Sequence, residues 1–330
     1  MDPLAYKLSD EEHQEVFERL KNELFAFTTS VEKPTAVILG GQPGAGKGGL
    51  IALSAREFPD SNFVVINGDE FRKEHPKSEE IFKKHEQDYA KLTDPDVREW
   101  TKKLFDLAIQ TKRNLIFEGT MRTDGPIRNT LRNLKQQGYH VVVRVMAVNE
   151  KISLLGTHER YEEQKQIFGH GRSVPKEAHD AAYDGMLRTI ERIEKEKLFD
   201  LLQVYNRDKT LLYENRVLGN EWKHPPKVVE AIQKERNKEW TPEQVEQYIK
   251  AWNRVMDKMV LRNADPQEII AVCRLCHEIL ANDLVRAQSK IAKLTKVIQL
   301  NQLLQKESPN KHQVSLNTNK MQNREDDVVR

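Results

Sequence analysis

The sequence predicts an α/β fold of the P-loop kinase type: a doubly wound, mostly parallel sheet followed by an all-helical C-terminal region. Two observations support the sheet. Short apolar runs, such as residues 36–40 and 63–66, recur along the first two thirds of the chain. Longer segments with helical spacing separate these runs. A third observation supports the appended region, because after about Trp222 the apolar runs stop and helix-start signals follow one another.

Each predicted element of the sheet region follows from a local pattern. Residues 8–27 place apolar side chains at helical spacing between charges, which predicts an amphipathic opening helix. Apolar runs predict strands at residues 36–40, 63–66, 114–117, 141–148 and 201–205. Helical patterns occupy residues 96–112, 126–137 and 176–197. Strands that alternate with helices pair in parallel, so we expect ligands to bind at the carboxyl ends of the strands.

Proline near the first turn marks the helices of the C-terminal region. Residues 225–226 are both proline and precede one helix, and a helix over residues 265–282 also begins with proline. Thr241, Pro242 and Gln244 spell a capping box at the start of another helix.

A final amphipathic stretch, residues 284–298, precedes a polar tail without aromatic side chains. We therefore expect a kinase-like domain over residues 1–220, a helical region over residues 221–307 and a disordered tail over residues 308–330.

Composition excludes several classes of protein. The chain has 330 residues, of which 32% are charged. Its longest strongly apolar stretch, residues 141–148, is interrupted by Arg144 and is far shorter than the roughly 20 residues of a membrane-spanning helix. The net charge of +2 does not indicate a nucleic-acid or membrane partner. Residues 1–14 contain no apolar secretory segment, so we expect a cytoplasmic protein.

The two cysteines do not indicate a cofactor site. Cys273, Cys276 and His277 have the spacing of a haem attachment motif, but the apolar neighbours recur at helical spacing. We therefore expect both thiols at a helix interface and no protein-held metal there, since zinc would lack ligands.

A glycine-rich loop directly follows the first predicted strand. Its sequence from Gly40 to Lys47 is Gly-Gly-Gln-Pro-Gly-Ala-Gly-Lys, and a helical pattern follows from Leu50. Strand, glycine loop and helix in this order predict a P-loop, in which backbone N–H groups and a helix N-terminus surround phosphate oxygens. We expect the Lys47 ammonium to contact the β- and γ-phosphates. The predicted nucleotide-binding residues are Gly41, Gln42, Pro43, Gly44, Ala45, Gly46, Lys47, Gly48 and Gly49.

Gly48 departs from the P-loop pattern. A P-loop normally has Ser or Thr after the lysine, and that hydroxyl binds Mg²⁺. Either the loop binds nucleotide without catalysis, or water or another hydroxyl completes the coordination. We favour the second interpretation because the other residues expected of a kinase are present.

Polar residues follow the second and third predicted strands. Asp69 is placed to accept a proton from an attacking hydroxyl, although it could instead cap the next helix. Glu118 and Thr120 could bind substrate hydroxyls, and Arg122 an anion. The alternative for these three residues is simple solvation of a strand end.

Two arginines occur in segments that this fold places over the phosphates. Arg160 and Arg172 could neutralise a transferring phosphoryl group, as arginine fingers do. A solvated surface position is the alternative for either residue alone. Their order among the other motifs favours the first interpretation.

Together the motifs resemble those of the zeta toxin family, the P-loop kinases of toxin–antitoxin systems, over about residues 30–218. The matching segments, in order, are residues 40–47, 67–71 with 75–76, 117–122, 159–162, and 172–180.

The resemblance implies a kinase that uses ATP or GTP with Mg²⁺ to phosphorylate the 3′-hydroxyl of the sugar in UDP-N-acetylglucosamine, which would block cell-wall synthesis. It assigns phosphate binding to Lys47 and the general base to Asp69. It assigns the phosphate clamp to Arg160 and Arg172. The implied contacts to the sugar nucleotide come from Glu118, Thr120 and Arg122.

Three questions stay open at this point. The acceptor could be another UDP-sugar, a nucleoside, a polynucleotide end or an antibiotic. The protein could also be a catalytically impaired NTP-binding interaction protein, as Gly48 would allow. A small helical antitoxin commonly inhibits members of this family, and the C-terminal helices could inhibit the kinase in cis or simply stabilise or dimerise it.

Overall fold

The computed structural model describes residues 2–219 and 221–284, with side chains through residue 276. These residues belong to two compact units, which divide in sequence between Ala264 and Asp265. The strands are β1 (Thr35–Gly40), β2 (Val64–Asn67), β3 (Leu115–Glu118), β4 (His140–Met146), β5 (Leu201–Tyr205), β6 (Leu211–Leu218) and β7 (Glu221–Trp222). The helices are α1 (Asp10–Phe25), α2 (Gly48–Ala55), α3 (Gly68–Phe71), α4 (Ser78–His85), α5 (Tyr89–Gln110), α6 (Asp124–Gln136), α7 (Glu150–Phe168), α8 (Lys176–Lys195), α9 (Val228–Arg236), α10 (Pro242–Leu261) and α11 (Pro266–Leu284).

The sheet is mostly parallel, which confirms the predicted fold class. Its strand order is β2-β3-β1-β4-β5-β6-β7, and the first five of these strands are parallel. Strands β6 and β7 extend one edge in antiparallel pairing and were not predicted. The reason is local, because β6 mixes exposed and half-buried side chains and has no continuous apolar run.

Strand β1 lies at the centre of the sheet and is buried on both faces. Ala36 and Ile38 contribute to one core, and Val37 and Leu39 contribute to the core on the other face. The sheet is therefore doubly wound, and the carboxyl ends of its strands are the edge available to ligands.

Two helices begin with a capping box, of which the one at Thr241 was predicted. At α1, the Ser9 hydroxyl accepts a hydrogen bond from the Glu12 N–H at 3.2 Å, and Glu12 accepts one from the Ser9 N–H at 3.0 Å. At α10, Thr241 and Gln244 form the same reciprocal pair at 3.3 and 2.9 Å. Helix α10 therefore begins where its capping box predicts, and the box at Ser9 fixes the start of α1.

Helices α9 and α10 belong to the same compact unit as the sheet. Helix α10 packs on α7, and Arg262 donates two hydrogen bonds to the buried Glu162 carboxylate at 2.7 and 2.9 Å. The division of the chain at residue 220 stays a prediction.

In the second unit, the described element is α11, which carries Cys273 and Cys276, and neither forms a disulfide with a described residue. The predicted stretch 284–298, apart from its first residue, and the predicted tail 308–330 lie outside the described residues. Within the described part of the chain, no helix is long and apolar enough to cross a membrane.

Candidate active site

The glycine-rich loop leaves the carboxyl end of β1, between strands whose connections run in opposite directions. At position 44 of the loop, the backbone conformation and the available space both require glycine. Its φ is +73°, and a Cβ at this position would approach the Ser153 carbonyl oxygen of α7 to 1.9 Å. The loop can therefore pack directly against α7 only without a side chain at this point. Helix α2 begins immediately after the loop, so its N-terminus faces the same space.

The Lys47 side chain extends from the loop toward an acidic group. Its Nζ donates to the carbonyl oxygens of Gly41 and Gln42 at 2.9 and 3.2 Å, and lies 3.6 Å from Glu118 Oε1. Burial lowers the pKa of the Lys47 ammonium, against the attraction of the nearby carboxylates. The ammonium thus lies between the phosphate-binding loop and the end of β3.

Asn67 connects the two carboxylates at this edge. Its Nδ2 donates to Glu118 Oε2 at 2.7 Å, and its Oδ1 accepts from the Asp69 N–H at 3.0 Å. The second bond makes Asn67 the N-cap of α3, so Asp69 does not serve as the cap. Burial raises the pKa of Glu118, against the attraction of Lys47.

Asp69 is held by two arginines. Its Oδ1 lies 2.5 Å from Arg172 Nη1 and 3.4 Å from Arg72 Nε. Burial in the cleft favours the neutral acid, but the positive charges of Arg172 and Arg72 outweigh it and lower the pKa of Asp69. The side chain is 41% exposed, so an ionised carboxylate faces the cleft.

Arg160, on α7, has a different environment. Its Nε and Nη2 atoms are buried and have no hydrogen-bond partner among the described residues. Burial, with repulsion from Arg172 as a second cause, lowers the pKa of Arg160 to about 10. Two guanidinium groups close enough to repel each other form a site that an anion would stabilise.

These side chains surround one cleft of about 1100 Å³ at the carboxyl edge of the sheet. The predicted residues that line it are Pro43, Lys47, Asp69, Glu118, Thr120, Arg122, Arg160 and Arg172. The structure therefore brings the predicted catalytic and substrate-binding side chains together, while their roles stay predictions. Thr120 Oγ1 accepts from the Arg122 N–H at 3.4 Å, and the Arg122 side chain is exposed.

Of the nine predicted nucleotide-binding residues, Pro43 and Lys47 line the cleft, and the others include Gln42 and Gly48. Gln42 is fully buried, and its Nε2 donates to the Val148 carbonyl oxygen at 3.0 Å and to Ser153 Oγ at 3.1 Å. Gly48 is exposed, and a Cβ added there would meet no atom within 4 Å. The buried Gln42 side chain thus anchors the loop to Val148 and Ser153. Gly48 has room for a side chain.

Sequence reasoning missed residues that hold this site. Arg72 donates to the Ala90 carbonyl oxygen at 2.7 Å and to Asp94 at 2.8 Å, which fixes its guanidinium beside Asp69. The spacing of three residues between Asp69 and Arg72 on a helix could have indicated this pair. Arg236 Nη2 lies 3.4 Å from Gln42 Oε1 across 194 residues of sequence, and no local pattern indicates it.

The donor set fits a Mg²⁺ ion that arrives with a nucleotide. Within the described residues, no group of three His, Cys, Asp or Glu side chains converges to hold a metal. Mg²⁺ needs only one or two carboxylates when phosphates and water complete its shell. Asp69 and Glu118 are carboxylates beside Lys47 that could serve, whereas Gly48 offers no ligand.

Comparisons with known sequences identify relatives of the chain. The family model described as "Zeta toxin" matches residues 18–217. Toxin PezT of Streptococcus pneumoniae serotype 4 is 31% identical over 209 residues, which cover 63% of this chain and 82% of the relative. Toxin zeta of Streptococcus pyogenes is 34% identical over 241 residues, which cover 72% of this chain and 80% of the relative.

Solved structures show the same fold. A structure from the characterisation of the PezAT chromosomal toxin–antitoxin system of Streptococcus pneumoniae aligns with a TM-score of 0.66 at 26% identity. The alignment covers 76% of this chain and 99% of that chain. The AvrRxo1-ORF1:-ORF2 complex with ATP aligns with a TM-score of 0.50 at 14% identity, over 79% and 82% of the two chains. This second likeness concerns the fold alone.

Proposed function

The chain belongs to the zeta toxin family, and we propose that it is a kinase that transfers the γ-phosphoryl group of ATP or GTP to the 3′-hydroxyl of the sugar in UDP-N-acetylglucosamine. The observation that supports this proposal is the convergence of Lys47, Asp69, Arg160 and Arg172 on one cleft beside a P-loop. Phosphoryl transfer depends almost entirely on positioning and on neutralisation of charge, and these side chains are of the types it requires.

The P-loop and Lys47 would bind the phosphates of the donor. Backbone N–H groups of the loop and the N-terminus of α2 supply the cradle. The Lys47 ammonium would exchange its two loop carbonyl partners for oxygens of the β- and γ-phosphates. Mg²⁺ held by Asp69 or Glu118 would neutralise further phosphate charge when bound.

Asp69 would act as the general base. Its lowered pKa keeps the carboxylate ionised at neutral pH, and its bond to Arg172 fixes its orientation. The carboxylate accepts the proton of the sugar hydroxyl while the hydroxyl oxygen forms a bond to the γ-phosphorus. The bond from that phosphorus to the bridging oxygen of the β-phosphate breaks, and the nucleoside diphosphate leaves.

Arg160 and Arg172 would stabilise the charge of the transferring group. The buried Nε and Nη2 of Arg160 have no partner in the described part of the chain, so they are donors available to phosphoryl oxygens. Glu118, Thr120 and Arg122 line the same cleft and would contact the sugar nucleotide.

We further propose a small helical antitoxin as partner and a cytoplasmic location. The related PezAT system of Streptococcus pneumoniae supports the first, because it is a toxin–antitoxin system. For the C-terminal helices the contacts favour stabilisation over inhibition in cis. Helix α10 binds α7 through Arg262 and Glu162, and none of the described residues of α9 or α10 lines the cleft.

Deletion of residues 222–330 tests the role of these helices. We expect the truncated protein to have a lower Tm than the full chain, because the deletion leaves the buried Glu162 carboxylate without Arg262. Thermal unfolding and kinase assays of both proteins measure this effect. A truncated protein that is equally stable and more active would instead support inhibition in cis.

The proposed reaction can be tested with the purified full chain. We expect incubation with Mg²⁺ and ATP or GTP to add one phosphate to UDP-N-acetylglucosamine, detected by mass spectrometry. A panel of other UDP-sugars, nucleosides, oligonucleotides and aminoglycosides is assayed in parallel. Phosphate on a different acceptor would replace the proposed substrate. ATP binding without any phosphorylated acceptor would favour the catalytically impaired binding protein that Gly48 allows.

A further inference from the structure

A second cavity, on another side of the P-loop, has no role in the reaction described above. We propose that it binds the purine base of the donor nucleotide, with the Trp240 indole as the stacking surface. The inference rests on the proposed kinase function and deepens it. The cavity has a volume of about 360 Å³, within the range of small-molecule sites. It is lined by Ile152 and Leu155 of α7, by Arg207, and by Trp240, Gln244 and Tyr248.

The turn between β5 and β6 connects this cavity to the P-loop. Arg207 lines the cavity, and its Nη1 donates to the Gly44 carbonyl oxygen of the loop at 2.9 Å. Lys209, in the same turn, extends over the other end of the loop. A Cβ on Gly49 would approach Lys209 Cε to 2.3 Å. The turn therefore lies beside the loop from Gly44 to Gly49, and the cavity is next to it on the Arg207 side.

The reaction geometry requires a nucleoside site on this side. In phosphoryl transfer the attacking hydroxyl and the leaving nucleotide lie roughly in line, on opposite sides of the transferred group. Asp69 and Glu118 define the acceptor side, and no residue lines both the acceptor cleft and the second cavity. The nucleoside of the donor must leave the loop away from Asp69, and the Arg207 side offers a cavity of suitable size.

The chemistry of the cavity suits a flat, hydrogen-bonding ring. The Trp240 and Tyr248 rings are 4.9 Å apart with an interplanar angle of 67°, so Tyr248 supports the indole edge-on. The side-chain amides of Gln244 and Gln247 line the cavity and can both donate to and accept from the edge of a base. Arg207 Nη2 and Glu159 Oε2, 3.9 Å apart, are charged groups that also line the cavity.

This base site would be a contribution of the C-terminal helical region. Trp240 and α10 lie outside residues 18–217, the part of the chain that matches the family model. Helix α10 would then have two functions, because it both packs on α7 and completes the donor site.

Binding measurements with the full chain separate the base from the phosphates. Calorimetric titrations use ATP and, separately, inorganic tripolyphosphate, which can occupy the P-loop but has no base. We expect Trp240→Ala to weaken ATP binding about tenfold, since stacking on an aromatic side chain is worth about fivefold to 150-fold, and to leave tripolyphosphate binding unchanged. Trp240→Phe should retain most of the affinity. Trp222→Ala, at the far edge of the sheet, is the matched control and should bind both ligands normally.

Two outcomes would overturn the inference. One is unchanged ATP affinity in Trp240→Ala, and the other is an equal loss for ATP and tripolyphosphate. If Trp240→Ala does not fold, a fluorescence comparison of the wild type with Trp240→Phe still tests the inference. ATP, but not tripolyphosphate, should change the tryptophan fluorescence of the wild type, and this change should be lost in Trp240→Phe. These assays contain no acceptor, so a lack of kinase activity would count against the proposed function alone.

Discussion

The buried arginines of the packed interior and those of the strand-end cleft differ in their partners. Arg262, directly after α10, donates two hydrogen bonds to Glu162, and Arg144 of β4 donates to Gln203, Ser54 and Glu57. Arg160 lies near carboxylates, yet its buried Nε and Nη2 have no hydrogen-bond partner in the part of the chain that the structure describes. Proteins rarely leave such donors unsatisfied, because burial of an unpaired charge is costly.

The difference separates packing from ligand binding. Arg144 and Arg262 bond to protein carboxylates and contribute to the fold. We expect Arg160 to bind an anion, because two of its nitrogens have no partner among the described residues and a second guanidinium, Arg172, lies near it. Arg113 and Arg236 each have one such nitrogen, Nε. Both the cleft and the α7–α10 contact are rich in charged side chains, and the pairing of their guanidinium groups distinguishes them.

The largest predicted contrast is between Arg160→Ala and Arg262→Ala. Arg160→Ala should lower kcat by about 10³-fold, the lower end for a phosphate-stabilising arginine. It should not lower the Tm, because the folded protein disfavours the charged form of this side chain. Arg262→Ala should cost about 3–5 kcal/mol of unfolding free energy, since it leaves the Glu162 carboxylate buried and unpaired.

Steady-state kinetics and thermal unfolding of both variants measure this contrast. Arg262→Ala should retain kcat at temperatures where it stays folded. The comparison breaks down if Arg160→Ala is destabilised as much as Arg262→Ala, because Arg160 would then be a structural residue.

The pH dependence of kcat/KM should report the charges of the cleft. Asp69 must be ionised to act as base, and its pKa lies below the ordinary 3.8. As the pH is lowered, kcat/KM should therefore stay constant until Asp69 is protonated, at a pH below 3.8. Lys47 must stay protonated to bind phosphate, and its pKa lies below 10.5, so activity should fall as pH rises toward that value. In Arg172→Ala the acid limb should move to higher pH, because burial then raises the pKa of Asp69 with less opposition. An unshifted acid limb in that variant would exclude Asp69 as the titrating base.

The smallest effect is expected from Gly48→Thr. The added side chain meets no atom within 4 Å, so the Tm should not fall. If the missing hydroxyl limits catalysis, kcat at a fixed Mg²⁺ concentration should rise several-fold. We expect a modest rise because water can substitute for the hydroxyl. A large loss of activity would instead show that the glycine itself is required.

The sequence predicted the parts of the molecule that local patterns encode. The five parallel strands, the P-loop and the capping box at Thr241 all follow from neighbouring residues, and the structure confirms them. Strand β6 was missed because an edge strand exposes part of its side chains and lacks an apolar run.

Contacts between distant segments could not be predicted. Arg236 reaches Gln42 from 194 residues away, and Arg207 reaches Gly44 from 163 residues away. Arg236 has no distinctive local sequence, since the chain is 32% charged, and the Tyr205-Asn-Arg207 segment does not indicate a contact with Gly44. Only the fold reveals which of many charged side chains are close to the P-loop.

The most direct test of the account is the rate of phosphate transfer to UDP-N-acetylglucosamine by Asp69→Asn, measured together with ATP affinity. We expect kcat to fall by about 100-fold or more while ATP binds nearly as in the wild type, because the variant removes the base and leaves the P-loop intact. Asp106→Asn, which alters another carboxylate of the same cleft, should keep full activity. Undiminished transfer by Asp69→Asn would contradict the account.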